Sequence, residues 1–67
     1  PVQSEALRGV GYVVRRRMLE IEFDSGAVYR YFDVPARVHA ALMAAESHGA
    51  YFSAHIRDAG FAFERLR

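Results

Sequence analysis

Apolar and polar residues alternate with a period of two along the first half of the chain, and this predicts strands. Met18 to Phe23, "MLEIEF", places Leu19, Ile21 and Phe23 on one side and two acids on the other, the pattern of a half-buried strand. Val10 to Val14, "VGYVV", and Ala27 to Phe32, "AVYRYF", are further strand candidates rich in β-branched and aromatic residues. "DSG" at 24–26 suits a three-residue hairpin loop with Gly26 in the left-handed conformation. That loop pairs Phe23 with Ala27, Ile21 with Tyr29 and Leu19 with Tyr31 on one face. Glu20 then meets Arg30 on the other face. A one-residue slip would carry Arg30 onto the face of Leu19 and Ile21, so the first register is preferred. Pairing Tyr12 with Leu19 adds Val10 and Tyr12 to the same apolar face. The turn at "VRRRM" is less defined.

A sheet with one apolar face needs a cover. Val38, Ala41, Leu42 and Ala45 fall at i, i+3, i+4 and i+7, one helical stripe. Arg37, His39, Ala40 and Ala44 take the opposite face. Pro35 suits the first helical position, with Asp33 as a cap or N-terminal charge. His48-Gly49 reads as the helix stop, with Gly49 free to adopt positive φ. Phe52 and Ile56 are spaced for a short second helix, "DAG" at 58–60 is a break, and Phe61 to Leu66 reads as a short last strand at an edge. The expected fold is therefore α+β: a three-stranded antiparallel β-meander covered by one main helix, with a short second helix and a short C-terminal strand.

With 67 residues, one domain spans positions 1–67, of which 1–7 is expected to be a flexible lead-in. A chain this short buries only about 60% of its unfolded surface, so a partner surface would help it. There is no cysteine, which removes disulfides and thiolate metal sites and fits a reducing cytoplasm. No apolar run approaches the ~20 residues of a membrane span, and the N-terminus has no signal-peptide core. The net charge of +1 says little about partners. All nine basic residues are arginine, whose planar fork suits phosphate and carboxylate. GC-rich coding also yields arginine and alanine, and the alanine-heavy helix favours that plainer reading.

The run "ESHGAYFSAHIRD", Glu46 to Asp58, has the composition of an active site. Position argues otherwise. His39, His48 and His55 lack the i, i+4 spacing of a helical metal pair, so no metal is expected. Ser47 and Ser53 lie near His48, His55 and Asp58, but proximity in sequence does not make a triad, and no nucleophile-elbow pattern is present. Asp33 and Asp58 show no pairing. Gly9 and Gly11 precede neither a helix start nor a P-loop lysine. No catalytic residue, cofactor or small-molecule substrate is implied.

Two binding readings remain. Arg15, Arg16 and Arg17 form a basic turn that Arg30 extends, with Arg8 and Arg57 as further candidates, which suits RNA or another nucleic acid. Tyr12, Tyr29 and Tyr31 share a face, as a base-stacking sheet would want, although the register puts them under the helix as core. The alternative is a host protein or a second copy of the chain docking on the open sheet face through Met18, Val28 and Phe32, or through the edge strand.

The series "VGY", "LEIEFDSGAVYRYFDVP", "AAESHGAYF" and "IRD" resembles the KTSC domain, named for the C-terminus of some lysyl-tRNA synthetases and also found as a stand-alone small protein in bacteria and phages. The resemblance runs from about Ser4 to Leu66. It implies, without showing, a nucleic-acid or ligase-accessory role. It also marks Ser47, Gly49, Tyr51, Phe52, Ser53 and Arg57 as a corner that is either structural or functional. The family usually carries asparagine after "YF", where this chain has Ser53.

Overall fold

The alternation of "MLEIEF" is realised as strand β2, Met18–Phe23, with Leu19, Ile21 and Phe23 buried and Met18, Glu20 and Glu22 half-buried. The computed structural model describes residues 6–67. In it, β2 lies between β1, Leu7–Val13, and β3, Val28–Tyr31, and β4, Phe63–Arg65, pairs with the far side of β3. All neighbours are antiparallel. The β2–β3 register is the expected one: Leu19 faces Tyr31, Glu20 faces Arg30, Ile21 faces Tyr29, and Glu22 faces Val28. Tyr12 faces Leu19 and Val10 faces Ile21. Gly26 takes φ 95°, and the loop closes with Phe23 N donating to the Ala27 carbonyl at 2.9 Å.

Several boundaries differ from the expectation. β1 begins at Leu7, which pairs with Phe23, so the end of the supposed lead-in belongs to the sheet. Positions 1–5 of that lead-in lie outside the described residues. The register shifts between Leu7 and Gly9, a bulge that turns Arg8 outward. Val14 leaves the strand for a 3-10 turn, Val14–Arg16. The short last strand expected at an edge is β4, and it makes the sheet four-stranded: Phe63, Glu64 and Arg65 face Tyr31, Arg30 and Tyr29 in register.

Helix α1, Ala36–Ala44, lies over the apolar face and buries Leu42 completely. Val38, Ala41 and Ala45 are half-buried beside it, as the stripe predicted. His39 does not join the solvent face: its ring stacks on Tyr12 at 4.6 Å. Pro35 is the N-cap residue rather than the first helical one, with no side-chain cap bond. Asp33 caps nothing. It sits at φ 58°, turning the chain sharply after β3 in a conformation aspartate tolerates.

The expected stop at His48-Gly49 is a start. α1 ends at Ala44, Ala45 is extended, and a second helix α2 spans His48–Phe52. Ser47 is its N-cap, its Oγ accepting from Ala50 N at 3.1 Å. A serine oxygen satisfying an early helical N–H is a local signal that outweighed the reading of the glycine. Gly49 is buried inside α2 and is absent from the positive-φ residues. The chain then widens into a π-helical turn, Ser53–Arg57. Phe52 and Ile56 lock this corner against Leu19, Ile21, Phe23, Tyr31, Val34 and Leu42 in one core, as their spacing suggested.

Candidate nucleic-acid interface

The β1–β2 connection is an ordered basic projection. Val14–Arg16 makes a single 3-10 turn, and Arg17 closes it at φ 53°, ψ 40° with its N–H on the Val14 carbonyl at 3.2 Å. The Arg17 carbonyl accepts from Val34 N at 2.8 Å, which ties the turn to the entry of α1. Arg15, Arg16 and Arg17 are all exposed. Among the described residues none of their side chains makes an ion pair or hydrogen bond.

Arg30 stands apart from this group. It lies mid-strand on the open face, where Nε and Nη2 bond Glu20 Oε2 at 2.9 and 2.7 Å and Nη1 reaches Glu64 Oε2 at 3.3 Å. Its guanidinium pKa is raised, chiefly by the hydrogen bond to Glu20, with burial opposing. Two carboxylates already fill its fork, so the structure separates Arg30 from the three arginines it was grouped with. Arg8 is likewise engaged with Glu22 and Asp24, and Arg57 with Asp58.

The open face follows from the register. One row pairs Val13 with Met18, the next carries Gly11, Glu20, Arg30 and Glu64, and the third Gly9, Glu22 and Val28, with Phe32 following β3. Met18 and Phe32 each lie one residue beyond the Leu19–Tyr31 pair, toward the arginine turn, while Val28 lies beyond a row of ion pairs. The apolar strip expected from Met18, Val28 and Phe32 is interrupted by charge.

The corner residues divide by burial. Phe52 is core. Tyr51 is half-buried with its ring 4.5 Å from the His55 ring. Ser53 is 9% exposed, and its Oγ has no hydrogen-bond partner among the described residues. Ser47 Oγ is occupied as a cap. Neither serine is hydrogen-bonded to a histidine, and among the described residues no three His, Cys, Asp or Glu side chains group as metal ligands. No helix among them is long and apolar enough to cross a membrane.

The sequence reading missed one feature on the helix side of the sheet. β4 brings Phe63 beside Tyr31 (ring centroids 5.5 Å) and Tyr29 (5.9 Å). Arg65 places its guanidinium carbon 5.7 Å from the Tyr29 ring centroid. With Phe23, Phe52 and Arg57 these line a cleft of about 480 Å³. The tyrosines are thus not uniformly core. Tyr31 is buried and Tyr12 donates to the Val34 carbonyl, but half-buried Tyr29 opens onto the cleft. Extending the period-two reading of "FAFERL" into a register with β3 would have placed Phe63 and Arg65 on this face.

Residues 3–61 match the family model described as the KTSC domain. A crystal structure of a KTSC domain protein from Yersinia pestis superposes with a TM-score of 0.84 at 37% identity, covering 100% of this chain and 93% of the other. A Stutzerimonas stutzeri protein named only as uncharacterised is 40% identical, covering 97% of this chain and 92% of its own length. A lysine–tRNA ligase of Nostoc punctiforme is 39% identical over 96% of this chain, which corresponds to 11% of the ligase.

Proposed function

The chain belongs to the KTSC domain family, and from that premise we propose that it is a binding module for single-stranded RNA, engaged through the turn Arg15–Arg17. The observation that carries this reading is the distribution of arginine partners. Arg8, Arg30, Arg57 and Arg67 each face a carboxylate; the three arginines of the turn, like Arg37 and Arg65, have none among the described residues, and in the turn three such side chains are consecutive. Clustered unpaired cations on an ordered turn suit a string of phosphates, since binding releases the counterions condensed on the strand. Relatives named as lysine–tRNA ligases place similar domains in proteins that handle RNA.

The test is fluorescence anisotropy with a short labelled single-stranded RNA at rising salt. Arg15→Ala/Arg16→Ala/Arg17→Ala is expected to remove most of the affinity and its salt dependence. No binding by the parent chain at low salt ends the proposal.

A second reading, docking of a protein or a second copy on the open face, draws on exposed Val13 opposite Met18, with Phe32 just past β3. Phe32→Asp splits such a dimer in sedimentation. A parent chain that sediments as a monomer at high concentration removes the dimer form of this reading.

A further inference from the structure

The cleft between the β3–β4 edge and the α2 corner has features that packing alone does not require. Phe63 is 57% exposed, although it stands in the same cross-strand row as buried Leu19 and Tyr31. The helical layer stops short of it, leaving an aromatic face open to solvent. Tyr29 and Tyr31 form the floor, and Arg57 and Arg65 stand in the lining. No carboxylate lines the cleft among the described residues. Asp58, the partner of Arg57 at 3.3 Å, is outside the lining. Arg65 is held over the Tyr29 ring and donates Nε to the Arg67 carbonyl at 3.2 Å, which leaves its terminal nitrogens free of protein carboxylates. The volume of about 480 Å³ falls within the range of about 300–1,000 Å³ typical of small-ligand sites.

We propose that this cleft binds one nucleotide unit, its base stacked on Phe63 beside Tyr29 and its phosphate held by Arg57 and Arg65. An exposed aromatic face accepts any base by stacking, and Arg65, without a carboxylate partner among the described residues, can grip a phosphate oxygen with help from Arg57, which shares its guanidinium with Asp58. The opposite face of the sheet offers neither, because Glu20 and Glu22 line its groove. The lining runs along β3 and β4 from the row of Tyr31 and Phe63 to Ser25 and Ala27 of the β2–β3 loop and includes none of Arg15, Arg16 and Arg17. It extends the nucleic-acid reading without depending on that turn.

Adenosine 5′-monophosphate is titrated into isotopically labelled protein and followed by NMR. The expected result is saturable shifts at Tyr29, Arg57, Phe63 and Arg65, much weaker shifts with adenosine, and weaker ones still with inorganic phosphate. Phe63→Leu keeps an apolar side chain at an exposed position while removing the ring, and is expected to weaken the nucleotide by at least about fivefold. Arg65→Gln is expected to flatten the salt dependence. The triple alanine variant of the turn should leave the nucleotide titration unchanged; RNA binding that survives in that variant refutes the turn reading and supports the cleft, and a nucleotide titration lost with the turn overturns the cleft as a separate site. Shifts centred on Arg15–Arg17, an affinity indifferent to Phe63→Leu, or no shift at all overturns the cleft.

Discussion

Replacing Arg17 by glycine should raise stability and lower affinity together. Arg17 sits at φ 53°, ψ 40°, where a Cβ crowds the following carbonyl at about 1–2 kcal/mol. Glycine removes that strain but adds freedom to the unfolded chain, offsetting about 0.4–1 kcal/mol. The net expectation is a gain of about 0.5–1 kcal/mol. Among the described residues the Arg17 side chain makes no bond that would be lost, and its backbone bonds to Val14 and Val34 are kept. For a chain this short, such a gain raises Tm by roughly 2–8 °C. On the binding side, three phosphate contacts on a single strand give a salt slope of about −2.1, and removing one leaves about −1.4. Between 50 and 200 mM salt the parent should then lose about 18-fold in affinity and the variant about 7-fold. Thermal unfolding and anisotropy on the same samples read both. A glycine variant that is less stable than the parent refutes the strain argument. One that is more stable but keeps the full salt slope removes Arg17 from the interface.

Ser53→Ala should stabilise the domain by about 0.5–2 kcal/mol, because a buried hydroxyl without a partner carries a desolvation penalty of about 1–3 kcal/mol. A loss in denaturant unfolding means the hydroxyl is satisfied by a bound water. Ser53→Asn adds volume at a buried position and is expected to cost about 1–3 kcal/mol by overpacking, unless its amide finds bonds in the corner. Ser47→Ala removes the α2 cap and should cost about 1 kcal/mol, with amide exchange rising first at Ala50 and Tyr51. Leu42→Ala empties a fully buried position at about 2–5 kcal/mol, enough to leave so small a domain largely unfolded.

The parts of the fold legible in the sequence were those set by short-range constraints. A three-residue loop and one charge pair sufficed to register β2 on β3, because a slip would have buried Arg30. The stripe ending at Ala45 marked the buried face of α1 for the same local reason. The π-helical turn after Phe52 and the pairing of β4 were harder. Each depends on where the chain goes next rather than on its own period. Gly49 illustrates the failure: next to a histidine after an alanine-rich helix it resembled a C-terminal stop, but its small size serves a buried helical position instead. At the candidate site, Arg15–Arg17 was readable as a cluster. Arg30 was misgrouped because its charge pair with Glu20, correctly read from the register, was not carried through to its availability. Phe63 and Arg65 went unread because they meet Tyr29 and Tyr31 only after both helices have been traversed.

A net charge of +1 conceals an uneven field. The acids Glu20, Glu22 and Glu64 stand on the open face, where they neutralise Arg8, Arg30 and Arg67. Among the described residues the arginines of the turn, Arg37 and Arg65 have no such compensation. Across a molecule 35 Å in its longest dimension, a Debye length of about 8 Å at physiological salt keeps the far carboxylates from cancelling them. Local arrangement rather than total charge therefore sets where a polyanion is attracted. Arg8→Gln and Arg16→Gln change the total charge equally, yet they should differ in effect. The first releases Glu22 and Asp24 and leaves RNA affinity nearly unchanged. The second lowers affinity and reduces the salt slope by about 0.7. Equal losses from the two substitutions mean that binding follows net charge alone, and the turn then has no special place in it.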